Sequence, residues 1–232
     1  MLVTGFFLNS IEKGVNKLVK DEGFNTQIFK KNKIGIMGGT FNPIHYGHLF
    51  IAQTALDALE LNKIIFIPTG IPPHKQQELI LDSNHRINMI NLATKSNPNF
   101  SVSDIEVKRE ATSYTIDTIR ELKQLYSKET EFYFITGTDA FVEIETWKEY
   151  EELLRIVKFV VVTRQVSSSN LLDEKIDFLT KEYRARITKI KIPTLDISST
   201  DIRNRIKTKG SIKYLLPENV EKYILSNRLY EN

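Results

Sequence analysis

The chain has 232 residues, of which 41% are hydrophobic and 26% are charged, and its formal net charge is +3. A chain of this length and composition can bury one sizeable core, so we expect one main domain. The weak and dispersed positive charge excludes an extended nucleic-acid surface, although a local basic pocket for phosphates is compatible with it. The absence of cysteine excludes disulfide frameworks, thiolate zinc sites and cysteine nucleophiles.

The chain shows no targeting or membrane signal. Its first ten residues, MLVTGFFLNS, contain a short apolar patch but neither a basic region nor a small-residue cleavage site, so they do not resemble a signal peptide. No apolar run approaches the roughly 18 residues that a membrane span needs. The sequence therefore predicts a soluble, cytoplasmic protein with no membrane partner and no nucleic-acid partner.

Residues 1–32 are predicted to be an N-terminal extension. Ser10 is suited to cap a short amphipathic helix, and Gly23 is suited to end it. We expect this helix to serve packing or assembly into a homo-oligomer, because its apolar face lacks the large aromatic residues of a membrane-surface helix. Residues 33–232 are predicted to form the main domain.

Short apolar runs alternate with helical patterns through the main domain, which is typical of a mostly parallel sheet covered by helices. The predicted strands are Lys33–Met37, Lys63–Ile67, Glu131–Ile135, Lys158–Val162 and Thr188–Ile192. The predicted helices have apolar residues at helical spacing, and they are His48–Leu59, Arg86–Ala93, Ile116–Leu125, Ile202–Ile206 and Val220–Leu225. We expect an α/β fold with a doubly wound parallel sheet and a C-terminal helical portion.

The loop after the first predicted strand has the sequence GGTFNPIHYGH, residues 38–48. Its two leading glycines let the backbone approach a ligand closely, and Gly47 leaves space at a helix N-terminus, where free N–H groups favour an anion. His45 and His48 are three residues apart, so they can face the same side of a helical turn. Two of the chain's four histidines lie in this turn, which favours a phosphate site over a purely structural role. The loop matches neither a dinucleotide fingerprint nor a Walker A loop.

Four later segments lie after predicted strands or at predicted helix starts. Ligands of open α/β sheets bind at the carboxyl ends of strands, so these segments are expected to converge on one site. Each segment also has a simpler explanation: a surface loop, a helix cap, a core tryptophan and a capped helix with an exposed arginine. The segments are PTGIPPHK (68–75), SYTIDT (113–118), GTD (137–139) with Trp147 beyond it, and ISSTDIR (197–203).

The loop at residues 38–48 resembles the G-G-x-F-[DN]-P-x-H-x-G-H signature of the nucleotidyltransferase superfamily related to class I aminoacyl-tRNA synthetases. Asn42 stands where the family more often has Asp, and both residues suit the turn. The resemblance implies a Rossmann-like nucleotidyltransferase fold in which the two histidines contact the ATP phosphates and stabilise the transferring group. It also implies which residues line the nucleotide: Gly38, Gly39, Thr40 and Phe41.

The later segments resemble motifs of the nicotinate mononucleotide adenylyltransferases, and the match extends from about Ile34 to the C-terminus. The resemblance implies that Trp147 stacks on the pyridine ring and that Asp139 lies by the nucleotide sugar. It further implies that backbone amides of the SYTIDT stretch read the nicotinate carboxylate. The implied mononucleotide site comprises Thr69, Lys75, Tyr114, Thr115, Gly137 and Trp147, and the implied triphosphate site comprises Ser199, Thr200 and Arg203.

The activity implied by the resemblance is adenylyl transfer from ATP to nicotinate mononucleotide, which yields nicotinate adenine dinucleotide and pyrophosphate in NAD biosynthesis. We expect His45, His48, Lys75 and Arg203 to supply the catalytic charge and hydrogen bonds, without a covalent intermediate. Mg²⁺ is expected to be carried on the ATP phosphates rather than in a protein metal site. The alternatives are another acceptor, such as nicotinamide mononucleotide or phosphopantetheine, and a non-catalytic nucleotide-sensing module.

Overall fold

The computed structural model describes residues 32–73, 80–164 and 170–231. The predicted N-terminal helix and Lys75 lie outside the described residues. The division of the chain after residue 32 therefore stays a prediction. No helix among the described residues is long and apolar enough to cross a membrane.

The described residues contain one six-stranded sheet in which every neighbouring pair of strands is parallel. The strands are β1 (Lys33–Gly39), β2 (Lys63–Pro68), β3 (Phe100–Val102), β4 (Glu131–Gly137), β5 (Lys158–Arg164) and β6 (Ile187–Ile192). Their order is β3-β2-β1-β4-β5-β6, so the chain builds outward from β1 in one direction and then in the other. This arrangement confirms the predicted doubly wound α/β fold.

The described helices are α1 (Tyr46–Ala58), α2 (Ser83–Thr94), α3 (Ile105–Lys108), α4 (Thr115–Leu125), α5 (Thr138–Val142), α6 (Tyr150–Ile156), α7 (Asn170–Tyr183), α8 (Ser199–Lys207) and α9 (Glu218–Ser226). All five predicted strands and all five predicted helices are present. The sequence analysis missed β3 and the helices α3, α5, α6 and α7. All of these except α7 have seven residues or fewer, too few for a periodic pattern to be distinctive.

The sheet is covered on both faces, and its strands are accordingly apolar on both sides. In β2, Ile64 and Phe66 belong to one buried cluster, which they share with apolar residues of α1, α2, α8 and α9. The alternate residues Ile65 and Ile67 belong to the other cluster, with residues of α4, α6 and α7. The C-terminal helices α8 and α9 therefore complete one face of the sheet, as the predicted C-terminal helical portion requires.

A close approach of two backbones joins the end of β2 to the segment before α4. Ile71 and Thr112 form an isolated parallel bridge, and the Gly70 amide donates a hydrogen bond to Ser113 Oγ at 3.0 Å. A Cβ atom added to Gly70 would lie 2.2 Å from the carbonyl oxygen of Glu106. Only glycine fits at this position, and the contact holds two loops of the carboxyl edge together.

Replacing Gly70 by alanine should therefore destabilise the protein by about 1–3 kcal/mol, because the new methyl group meets backbone that cannot move aside easily. The matched control is Gly137→Ala, since a Cβ there would have nothing within 4 Å. Urea unfolding of the two variants measures the difference, and the control should lose less than about 1 kcal/mol. Equal losses would contradict the close approach at Gly70.

Candidate active site

A cleft of about 530 Å³ lies at the carboxyl ends of β1, β2 and β4. This is the point where the strand order reverses, and it is the usual ligand position of doubly wound sheets. The cleft brings together residues from four of the motifs. The predicted site residues in its lining are Gly38, Gly39, Thr40, His48, Thr69, Tyr114, Thr115, Gly137 and Trp147.

A smaller hollow of about 320 Å³ is lined by residues of the fifth motif together with both motif histidines. His45, His48 and Ser199 all contribute to its wall. The larger cleft and the smaller hollow share His48 and Ile51. His48 therefore lies at the junction between the two, where a group passing from one ligand to another would be within reach.

The two histidines are held against each other at the start of α1. The backbone N–H of His45 donates a hydrogen bond to His48 Nδ1 at 3.3 Å, and the two ring centroids are 3.8 Å apart. Because Nδ1 of His48 accepts, the proton of the neutral ring is assigned to Nε2, which is then a hydrogen-bond donor. Gly47 makes this packing fit, since a Cβ there would lie 3.0 Å from the His45 ring.

His45 is buried, and its Nδ1 atom has no hydrogen-bond partner among the described residues. Burial lowers the pKa of the His45 imidazole to about 4, because the charged form is poorly solvated there. His45 is consequently neutral at physiological pH in the ligand-free protein. It can offer a hydrogen bond to a phosphate, but it does not bring a positive charge of its own.

Asn42 joins the first loop to the C-terminal helices. Its backbone carbonyl accepts a hydrogen bond from Arg203 Nη1 at 2.9 Å, and its side-chain oxygen accepts one from the Tyr230 hydroxyl at 2.8 Å. Ser199 Oγ donates to the carbonyl of Pro43 at 2.8 Å. The start of α8, which carries the ISSTDIR motif, is thereby fixed beside the loop at residues 38–48, called the histidine loop below.

Arg86 joins the first loop to the loop after β2. Its guanidinium is buried and donates to the carbonyl oxygens of Thr40 at 3.0 Å, Thr69 at 2.8 Å and Leu81 at 3.0 Å. Burial lowers the pKa of this guanidinium, but an arginine stays charged in proteins. The sequence analysis missed Arg86; its signal is a charged residue on the inner face of an otherwise apolar helical stripe.

Trp147 lines the larger cleft. Its ring meets Phe134 edge to face, with centroids 5.7 Å apart at an interplanar angle of 87°. Tyr114 and Thr115 line the same cleft, and they lie at the N-terminus of α4. The sequence analysis did not single out two ionisable neighbours in this lining, Glu106 and Lys148.

Several predicted site residues do not line the cleft or the smaller hollow. Phe41 is buried and packs against His48, with their ring centroids 5.0 Å apart. Asp139 is exposed in the first turn of α5. Arg203 donates to Thr200 Oγ1 at 3.3 Å within α8. The ligand contacts of these residues stay predictions.

The described residues contain no group of three or more histidine, aspartate or glutamate side chains placed to hold a metal ion. Glu106, a carboxylate of the cleft lining, accepts a hydrogen bond from Thr118 Oγ1 at 2.7 Å. Burial raises the pKa of Glu106. A divalent cation here would need most of its oxygen ligands from a bound polyphosphate or from water.

Comparisons with known proteins show which proteins this chain is similar to. The sequence model of the cytidylyltransferase-like family matches residues 36–205. A protein of Thermoanaerobacter sp. (strain X514), named probable nicotinate-nucleotide adenylyltransferase, is 50% identical over 199 residues, covering 86% of this chain and 94% of the relative. A protein of the same name from Moorella thermoacetica is 50% identical over 203 residues, covering 88% and 94%.

A solved structure with a similar fold is Plasmodium falciparum nicotinic acid mononucleotide adenylyltransferase complexed with NaAD. Its TM-score is 0.72 at 22% sequence identity, and the match covers 86% of this chain and 98% of that one. At this identity the likeness concerns the fold alone.

The buried His45 should make the protein sensitive to acid. Its pKa is about 4 in the folded protein and about 6.5 in the unfolded chain, so the unfolded state binds more protons between these values. Stability should therefore fall as the pH is lowered from about 6.5 towards 4.

In a His45→Gln variant this contribution is absent. The loss of unfolding free energy between pH 7 and pH 4.5 should be smaller than in the wild type by about 2 kcal/mol. Urea titrations of both proteins at both pH values provide the comparison, and each protein serves as its own reference. An identical loss in the two would show that His45 is not held in its neutral form.

Proposed function

Because the chain belongs to the nicotinate-nucleotide adenylyltransferase family, we propose that its cleft transfers the adenylyl group of ATP to nicotinate mononucleotide. The products are nicotinate adenine dinucleotide and pyrophosphate, a step of NAD biosynthesis. The observation that carries the assignment of roles is the position of His48, which lies where the larger cleft meets the hollow beside α8. One donor at this junction can contact the phosphates of both substrates.

The mononucleotide is assigned to the larger cleft. Its pyridine ring stacks on Trp147, and its carboxylate accepts hydrogen bonds from the free backbone N–H groups at the start of α4, beside Tyr114 and Thr115. Thr69 and Gly137 border the same space. Lys75 is proposed to reach the phosphate of the mononucleotide from its loop.

The nucleoside part of ATP is assigned to the backbone of Gly38, Gly39 and Thr40, with Asp139 near its sugar. Its triphosphate extends towards the N-terminus of α8. There Ser198 caps the helix by accepting a hydrogen bond from the Asp201 amide, while Ser199, Thr200 and Arg203 supply further donors. A helix N-terminus with hydroxyls and an arginine one turn on is well suited to a polyphosphate.

In the reaction, a phosphate oxygen of the mononucleotide attacks the α-phosphorus of ATP. A new P–O bond forms while the bond from the α-phosphorus to its bridging oxygen breaks, and the electron pair leaves with pyrophosphate. The incoming phosphate is already anionic, so no general base is needed. His48 Nε2–H and His45 donate to the oxygens on which charge develops, and Arg203 faces the leaving group.

Magnesium enters as part of the substrate Mg-ATP, in which it offsets the charge of the phosphates. In this proposal the cation is held mainly by oxygen atoms of the phosphates and of water. We place the reaction in the cytoplasm, because both substrates are charged metabolites that do not cross a membrane unaided.

Pyrophosphate release tests the proposed function directly. The purified full chain is incubated with Mg-ATP and either nicotinate mononucleotide, nicotinamide mononucleotide, phosphopantetheine or no acceptor. Release with nicotinate mononucleotide is expected to exceed the others clearly. Release with the amide alone would change the acceptor, and release with none would contradict adenylyl transfer.

Replacing His48 by alanine should lower kcat by about two orders of magnitude or more, because one preorganised donor to the reacting phosphates is lost. The matched control is His85→Ala on α2, where the imidazole bonds the Tyr223 hydroxyl at 2.9 Å and does not line the described cleft. Steady-state kinetics are compared at equal folded fraction, checked by circular dichroism. A His48→Ala protein with wild-type kcat would overturn the role of His48.

Replacing Trp147 by alanine should mainly raise the KM for nicotinate mononucleotide, by about tenfold, because the stacking surface for the pyridine ring is removed. Trp147→Phe keeps an aromatic face and should give an intermediate KM. Initial rates with varied mononucleotide at saturating Mg-ATP distinguish these cases. The stacking assignment is wrong if the KM of the alanine variant matches that of the wild type.

A further inference from the structure

The lining of the larger cleft contains a positively charged side chain that belongs to none of the motifs. Lys148 follows Trp147 directly and is the only lysine or arginine among the described residues that line this cleft. Its Nζ atom lies 4.7 Å from the centroid of the Tyr114 ring and 3.0 Å from Asp117 Oδ2. Both partners belong to the start of α4, where the proposed function places the nicotinate carboxylate.

The backbone that carries Lys148 is tied to α4. The next residue, Glu149, has a left-handed backbone with φ 51°, a conformation that is costly for a residue other than glycine. Arg120 of α4 forms ion pairs with both Glu149 and Glu152. These contacts hold the backbone of this segment beside the helix start, so Lys148 is carried next to α4 before any ligand binds.

The contacts of Lys148 leave capacity for a ligand. An ammonium group has three N–H donors, and one of them is directed to Asp117. Asp117 also lies 3.7 Å from Arg120 Nη1, so its negative charge is shared between two cations. The Lys148 side chain is 41% exposed, which allows it to swing towards a carboxylate on the pyridine ring.

We propose that Lys148 is a specificity-determining residue, whose ammonium group pairs with the carboxylate of nicotinate mononucleotide and favours this acid over the corresponding amide. The inference rests on the proposed function. A carboxylate gains a charge-assisted hydrogen bond from Lys148, whereas the neutral amide gains little. Because the site is partly exposed to water, the contribution is modest, and a preference of about five- to tenfold is expected from this side chain.

A competition assay measures the preference. Equal concentrations of nicotinate and nicotinamide mononucleotide are supplied together with excess Mg-ATP, and the two dinucleotide products are separated by chromatography. Their ratio gives the ratio of the two kcat/KM values. Lys148→Gln should lower the acid-to-amide ratio about five- to tenfold, through a higher KM for the acid with kcat little changed. Lys148→Arg should keep most of the preference, and Lys148→Glu should lower it further.

Lys222→Gln is the matched control. Lys222 is an exposed lysine on α9 that pairs with Glu218 at 2.7 Å and lies outside the cleft lining, so its loss should leave the ratio unchanged. Raising the salt concentration should reduce the ratio in the wild type but hardly in Lys148→Gln, because screening acts on the ion pair that the variant lacks.

These experiments distinguish a failure of the proposed function from a failure of the role of Lys148. A wild-type protein that forms neither dinucleotide would overturn the proposed function and this inference together. A wild-type protein that forms the acid product, with a ratio that Lys148→Gln does not alter, would overturn the role of Lys148 alone.

Discussion

Hydrogen bonds donated by Arg86, Arg203 and Tyr230 hold the loop at residues 38–48 in place. Arg203 and Tyr230 both bond Asn42, and Arg86 bonds the carbonyls of Thr40 and Thr69. The hydrogen bonds from the two arginines satisfy backbone oxygens of loops that form no regular ladder, and these oxygens would otherwise be costly to bury. These hydrogen bonds connect β1, β2 and the C-terminal helices at the edge of the sheet that carries the larger cleft.

The histidine loop itself offers hydrogen-bond donors rather than positive charge. The loop places two imidazoles in contact, and one of them is buried enough to be neutral at physiological pH. The positive charges instead come from side chains on other elements, with Arg203 on α8 and Lys148 between β4 and α6. In the proposed reaction, the loop offers hydrogen-bond donors to the two anionic substrates, and the positive charges come from elements outside the loop. Such a division suits a reaction in which positioning supplies most of the rate.

The sequence indicated most of the fold because the central strands are buried on both faces. Such strands read as continuous apolar runs, as in Lys63–Ile67, and a parallel sheet follows from their alternation with helices. β3 has only three partly buried residues and carries no such signal. The helix α7 spans 14 residues, with Leu172 and Leu179 buried seven residues apart, so a signal existed there and was missed.

The sequence predicted that motifs at the ends of strands would converge, and Gly38, His48 and Trp147 do line one cleft. The site was not predictable where a residue acts across the fold. Arg86 bonds Thr40, 46 residues away, and Tyr230 bonds Asn42, 188 residues away. The helical stripe marks Arg86 as an unusual residue, but no periodicity or spacing shows which distant residue such a side chain bonds, because only the folded chain brings the two together. Lys148 is a similar case, since its importance depends on the start of α4.

We propose that both substrates occupy one site and that the adenylyl group passes directly between them. The stereochemical course at the α-phosphorus tests it most directly, with an ATP analogue that carries a sulfur of defined configuration on that atom. Direct attack by the mononucleotide phosphate predicts inversion of configuration in the dinucleotide product. Retention would reveal two successive displacements through an adenylylated protein and would contradict the account.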